Sequence, residues 1–259
     1  MGTQMSKAAI DKEISLTFAK GLEVLAAFDA EDREMTISSI AKKTNLNRTV
    51  ARRLVLTLEH LKYLECTNRV YRLTPRILRL AGGFLQGREI GKYVSPILAT
   101  FSERLNESVS FAMLDGREAV YVAHSPGDPT MITLGFTVGS RLPLHATAIG
   151  RALLAFTDLE NRETLLQRMD RIAYTPKTKV ALQDLRDDLD DAAKAGFSYV
   201  QDEFEQGVAS LAVPVLRGSS DLIGALGIVG PNPRFADGDA KQKRVQLLQE
   251  CAASIAAIL

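Results

Sequence analysis

Arg48, Thr49, Arg52 and Arg53 cluster in the segment NLNRTVARRLVLTLEHL (45–61), and their chemistry is that of polyanion recognition. An arginine fork donates two hydrogen bonds to guanine O6 and N7 or to a phosphate, while a threonine donates to a phosphate or touches a thymine methyl. In a helix turning about 100° per residue, Val50, Leu54, Leu58 and Leu61 share one sector of roughly 80°, with the four polar residues on the other side. The apolar face is read as a core stripe and the polar face as a surface that enters a major groove. Two alternatives remain open, a solvated face and pairing with Glu59 and Glu65. Base readout and phosphate positioning are not separable at this level.

A second constellation lies in VGSRLPLHATAIGRALL (138–154). If a helix begins near Thr147, the backbone N–H groups of Ala148, Ile149 and Gly150 form a positive end suited to a carboxylate. The small Ala148 and Gly150 allow close approach to the backbone. Arg141 or His145 would add a charge-assisted hydrogen bond. In the plainer reading Thr147 is only an N-cap, Gly150 a packing contact and His145 a surface residue. The stretch VQDEFEQGVASLAVPV has the same duality: Asp202, Glu203 and Ser210 line a cavity, or the two acids are solvated at a strand end.

Catalytic chemistry has little to stand on. The three histidines are His60, His124 and His145, and His60 belongs to the arginine-bearing helix. No GxSxG elbow, HExxH, Walker loop or GxGxxG followed by an acidic residue is present. Neither His124 nor His145 has a second His or Cys at metal-ligand spacing, so no catalytic set, metal site or cofactor is expected. Cys66 and Cys251 fall in segments that read as different domains, which leaves them as ordinary thiols.

The elements that must position these groups follow from periodicity and charge. The chain has 259 residues, 46 % hydrophobic, enough for two domains. Its formal charge of +1 hides an asymmetry, because residues 1–95 hold 16 Lys and Arg against 10 Asp and Glu, and the remainder 16 against 21. Between Lys42 and Arg79 ten basic residues face two acidic ones, a footprint suited to nucleic acid. No apolar run approaches the roughly 18 to 20 residues that span a bilayer, and the first residues lack the apolar core of a secretory signal, so the cytoplasm is expected and no membrane.

ISLTFAKGLEVLAAFDA (14–30) reads as a first helix. TISSIAKKT reads as a short second helix with Thr36 as N-cap, and a third starts at Asn47 after the turn NLN. YLECTNRVYRLT reads as a hairpin with Arg69 at its tip, placed for a phosphate or the minor groove. The unit is a winged helix-turn-helix, and Thr36 is counted with Arg48, Thr49, Arg52, Arg53 and Arg69 as a DNA contact. TPRILRLAGGFLQGREIGKYVSPILATFSERL (74–105) reads as a short helix, a joint at Gly82–Gly83 and a longer helix. Its Ile90, Val94, Ile97 and Leu98 would suit a subunit contact.

Beyond it, SVSFAMLDGREAVYVAH is a hairpin around Asp115–Gly116 and TMITLGF a third strand. HATAIGRALLAF and LQDLRDDLDDAAKAG are helices, FSYVQ, ASLAVPVL and LIGALGIVG three further strands, and the chain closes in a long helix. The fold class is α+β in two domains. Residues 14–80 form the DNA-binding domain, 81–95 a linker helix and 96–259 an effector-binding domain.

The chain resembles the IclR family of bacterial transcriptional regulators from about residue 14 to 259. The resemblance rests on FAKGLEVLAAF, TISSIAKKTNLNRTVARRLVLTLEHLKYLE, YRLTPRILRLAGGFL, ESVSFAMLDGREAVYVAH, VGSRLPLHATAIGRALLA, AGFSYVQDEFEQGVASLAVPV and GALGIVGP. It implies a winged helix-turn-helix joined by a helix to a GAF-like effector domain, assembled as a homodimer or tetramer on operator DNA. LTPRILRLAGGFL, AMLDGREAVYVA and RLPLHATAIGRALLA are most like the subgroup that controls the β-ketoadipate pathway. Members of that subgroup respond to protocatechuate, 4-hydroxybenzoate, cis,cis-muconate or β-ketoadipate.

By this resemblance Arg48, Thr49, Arg52 and Arg53 occupy recognition-helix positions, and Thr147 to Gly150 and Ser210 border a ligand cavity. The helix end would hold a carboxylate, with Met131 and Leu134 against a ring. An alternative within the family is a non-aromatic effector. An enzyme with a DNA tether and a constitutive DNA-binding protein are the rivals from other classes.

Overall fold

Side-chain oxygens set where the first helices begin. In the computed structural model, which describes residues 13–29, 31–87, 90–127, 137–218 and 220–259, Ser15 caps α1 (Leu16–Ala26). Thr36 caps α2 (Ile37–Lys43) in a reciprocal box with Ser39, and Asn47 caps α3 (Arg48–His60) by accepting from the Thr49 N–H at 2.8 Å. Between α2 and α3 the chain reverses at Asn45, whose φ of 52° is tolerated by asparagine. After α3, β1 (Leu64–Thr67) and β2 (Val70–Leu73) form the expected hairpin. It is tied back by a bridge in which Met35 and Tyr71 exchange backbone hydrogen bonds.

The buried stripe of α3 is Ala51, Leu54, Val55 and Leu58. This corrects the expected stripe at both ends, for Val50 is 36 % and Leu61 46 % exposed. The helix packs on α1, α2 and β1 together, so the face that is covered turns toward Ala51, whose small side chain admits a close neighbour.

The chain divides into two compact units between Phe84 and Leu85. That division falls inside α4 (Ile77–Gly87), which runs unbroken through Gly82–Gly83 where a joint was expected. Glycine weakens a helix by about 1 kcal/mol relative to alanine without breaking it. A π-helical turn (Ile90–Val94) and α5 (Ser95–Leu105) follow. Ile90, Val94 and Leu98, expected at a subunit contact, lie in the core of the second unit instead. Leu78, Leu80 and Phe84 of α4 and Leu16, Phe18 and Leu22 of α1 are among the exposed apolar residues.

The second unit is built on a six-stranded antiparallel sheet in the order β5–β4–β3–β8–β7–β6. The strands are β3 (Val109–Asp115), β4 (Glu118–Ser125), β5 (Arg141–Pro143), β6 (Ser198–Gln201), β7 (Val208–Arg217) and β8 (Asp221–Pro231). Alternation along the strands separates two cores. Phe111, Leu211, Val213 and Ile228 pack on α5 and on α9 (Gly238–Ala256). Ala112, Ala212 and Ala225 face α6 (Ala148–Phe156), α7 (Leu159–Arg168) and α8 (Leu182–Ala195). TMITLGF and with it Met131 and Leu134 lie outside the described residues.

A sheet face of alanine and glycine lets α6 sit low on it. A Cβ at Gly227 would come within 2.6 Å of Ile149 Cγ1, and one at Gly150 within 2.5 Å of the Leu144 backbone. Backbone cannot swing aside as a side chain can. Gly150→Ala is therefore expected to lower the stability of the second unit by about 1–3 kcal/mol, read as a lower urea midpoint; an unchanged midpoint contradicts the close packing.

Candidate functional site

In the first unit, Arg48, Thr49, Arg52 and Arg53 are all exposed, and none of the three arginines forms an ion pair with a described residue. The acid expected as a competitor, Glu65, is bonded to Arg72 at 2.6 Å. Lys43 is held at 2.6 Å by both Asp29 and Asp32, so part of the basic run is neutralised internally while the outer face of α3 is not. Thr36 is exposed, and its hydroxyl is committed to the α2 cap.

At the hairpin tip, Asn68 and Arg69 both have positive φ, 52° and 66°, the signature of a type I′ turn. Glycine is favoured at the second position, and an arginine there costs roughly 1–2 kcal/mol in backbone strain. A strained cation at an exposed tip is suited to reaching a phosphate.

In the second unit, a cavity of about 160 Å³ lies between α6 and the sheet. For comparison, a void of about 150 Å³ holds a benzene molecule. Leu142, Ile149, Val200, Phe204, Leu211 and Ile228 supply apolar wall. The polar groups come from Ser110, Tyr121, Thr147, Glu203, Ser210 and the first turn of α6. Thr147 is the N-cap, its hydroxyl accepting from the Gly150 N–H at 3.1 Å and donating to the Pro143 carbonyl at 2.8 Å. Ala148 donates to the Ser210 hydroxyl at 3.3 Å. Of the three amides expected to face an anion, that of Ala148 is taken up by Ser210 and that of Gly150 by Thr147; Ala148 and Ile149 line the cavity, and Gly150 does not. Burial pushes the Tyr121 phenol far above its ordinary range, so it stays neutral.

Two expected contacts are placed elsewhere. Arg141 is exposed and bonded to Glu118 across β5 and β4 at 2.9 Å, where cross-strand pairing gives it a nearer carboxylate than any ligand. His145 is buried outside the cavity lining, with Nε2 at 2.9 Å from the Ile172 carbonyl, which can only accept. Burial, and secondarily Arg151, lowers its basicity, so it is a neutral imidazole and not a cationic anion ligand.

Asp202 is a loop latch. It accepts from the Gly207 N–H and Asn232 side chain at 2.7 Å and from Lys177 at 2.6 Å. These bonds, that of Lys177 foremost, hold its carboxyl down at about 2.

The residue that sequence reasoning missed is Arg151, only 2 % exposed. Its guanidinium donates to the His145 carbonyl at 2.8 Å and to Asp188 and Glu203 at 2.5 Å each. Glu203 Oε2 also accepts the Lys179 N–H at 2.8 Å. The signal was one arginine in the otherwise apolar helix AIGRALLAF. Its partners are 37 and 52 residues away in the chain.

Two family models match in succession, the IclR helix-turn-helix domain over residues 17–66 and the IclR C-terminal domain of bacterial transcriptional regulators over residues 83–257. The chain belongs to the IclR family of transcriptional regulators. It is therefore a regulator that binds DNA through the helix-turn-helix and a small molecule through the C-terminal domain.

Among IclR relatives, the Pca operon regulatory protein of Acinetobacter baylyi is 34 % identical over 249 residues, 93 % of this chain and 88 % of that protein. The Pca regulon regulatory protein of Pseudomonas putida is 31 % identical over 92 % of this chain and 82 % of that one. These relatives support the subgroup expected from the sequence. The structure of an IclR homologue from Microbacterium hydrocarbonoxydans complexed with 4-hydroxybenzoate is 26 % identical, with a TM-score of 0.72, covering 94 % of this chain and 98 % of that one.

Arg69→Gly is expected to relieve the turn and stabilise the winged helix-turn-helix by about 1 kcal/mol while weakening operator binding and reducing its salt dependence. Thermal unfolding and a salt titration of DNA affinity check it. Stabilisation with no change in DNA binding would leave the strained arginine without a purpose.

Proposed function

We propose that this IclR-type regulator controls genes of aromatic-acid catabolism, and that a small aromatic carboxylic acid in the cavity of the second unit changes its affinity for operator DNA. The single observation that carries the reading is the cavity itself. It has one ring's volume, apolar walls, and Ser210 and the first turn of α6 in its lining, where the Ala148 N–H donates to the Ser210 hydroxyl. A helix N-terminus presents N–H dipoles to an anion without burying a second formal charge beside it. The Pca relatives and the 4-hydroxybenzoate complex of an IclR homologue support the same class of acid.

In this reading residues 14–80 bind the operator, 81–95 connect and 96–259 bind the effector, with no catalytic role. Arg48, Thr49, Arg52 and Arg53 enter the major groove, and Arg69 meets a phosphate or the minor groove. The protein acts in the cytoplasm as a homodimer or tetramer. The exposed leucines and phenylalanines of α1 and α4 support assembly, for two recognition helices reading a two-fold site require paired subunits. Among the described residues no helix is long and apolar enough to cross a membrane.

Fluorescence anisotropy on the DNA flanking the protein's own gene, with and without protocatechuate, 4-hydroxybenzoate, cis,cis-muconate and β-ketoadipate, tests the reading. Tight, salt-dependent binding shifted by one of these acids is expected, and Arg52→Ala should weaken it by about 1–3 kcal/mol if that arginine reads a base. DNA binding that none of the acids shifts would overturn the aromatic-acid assignment.

A further inference from the structure

The sheet of the second unit has two edges, and they are finished differently. β5 is three residues long and carries Arg141 and Pro143, a charge and a proline of the kind that keeps other strands away from an edge. β6 consists of Ser198, Tyr199, Val200 and Gln201, with no charge and no proline. It pairs with β7 and with no other strand among the described residues. The register of that ladder decides which of its backbone groups are spare. The Asp202 N–H reaches the Val208 carbonyl at 2.8 Å, in line with the pairs Val200 to Ser210 and Ser198 to Ala212. Hydrogen-bonded and non-hydrogen-bonded pairs alternate along an antiparallel ladder, so Ser198 and Val200 turn their N–H and C=O groups to β7, whereas Tyr199 and Gln201 turn theirs outward. Among the described residues nothing bonds to these outward groups.

An open groove of about 470 Å³ runs beside β6, lined by the strand, the end of α8 and residues Lys177 and Lys179. To it α8 contributes Ala192 and Ala195, small side chains that leave room for a strand. The charges of the lining balance, with Arg151, Lys177 and Lys179 against Asp188, Asp191 and Glu203. We infer that the edge of β6 is a self-association surface, on which a second copy of this chain adds its own β6 antiparallel about a two-fold axis. Tyr199 of each copy then exchanges both backbone hydrogen bonds with Gln201 of the other, and the two sheets become one. Charge selects the occupant. A surface that meets its own copy doubles any net charge it carries, so a balanced lining does not repel itself, whereas it offers a basic or an acidic peptide no preference. This surface is distinct from the exposed apolar residues of α1 and α4, and two different two-fold contacts on one chain build a tetramer where one alone builds a dimer.

Sedimentation velocity and amide hydrogen exchange on the full-length protein test the inference together. The chain is expected to self-associate, and in the associated form the amides of Tyr199 and Gln201 should exchange about tenfold or more slowly than exposed backbone of the same chain. Rapid exchange at both amides in concentrated protein overturns the inference, whatever the size of the assembly, because the copies then meet through another surface and the edge stands open to an extended peptide of a different protein.

Gln201→Pro removes one outward N–H and no hydrogen bond of the β6–β7 ladder. It should raise the dissociation constant of the association by about tenfold or more; an unchanged constant contradicts the inference. If that variant does not fold, the exchange of the two amides in the natural protein decides the matter alone.

Discussion

A buried guanidinium has to be neutralised where it stands, and in this protein that constraint organises the effector domain. Arg151 lies on α6 one turn beyond the residues that border the cavity, and its partners come from three different segments: the carbonyl of His145, Asp188 of α8, and Glu203 in the loop between β6 and β7. Thr178 and Lys179 are drawn in through Glu203, and Lys179 reaches back to Asp188 at 2.6 Å. Removing one member of such a buried pair costs about 3–5 kcal/mol, because the remaining charge is left uncompensated. The cluster thus fixes α6 against the loop that carries Glu203 and Phe204.

In the proposed reading the two units meet anions in different ways. DNA is an extended polyanion in water, and its recognition calls for exposed formal cations that displace counterions; the outer face of α3 supplies them without internal ion pairs. A single acid in an enclosed cavity is better served by dipoles, since a buried cation would carry its own desolvation cost. The opposite net charges of the two parts of the chain fit this proposed division of tasks.

Much of this was legible in the sequence because it is local. Ser, Thr and Asn caps announce helix starts, Asp115–Gly116 announces a hairpin, and Gly196 ends α8 in the left-handed conformation, φ 77°. The outer face of α3 was also readable from periodicity, although its buried stripe turned toward Ala51 once three neighbours packed on it. What was not legible depends on partners distant in the chain. Nothing near Arg141 or His145 shows that Glu118 and the Ile172 carbonyl are waiting for them, and an apolar helix does not reveal which carboxylates its lone arginine will find. The cavity walls, drawn from strands β3 to β8 and from α6, are likewise a product of sheet order.

The central claim is that acid in the cavity and DNA on α3 are energetically coupled, and linkage makes that claim testable from the side of the acid. If bound acid changes operator affinity by some factor, bound operator must change acid affinity by the same factor. Calorimetric titration of 4-hydroxybenzoate into the free protein and into the protein saturated with its operator measures this directly. The account predicts two different dissociation constants whose ratio equals the acid-induced change in operator affinity. Identical constants would contradict it, and the cavity and the DNA-binding face would then be independent sites on one chain.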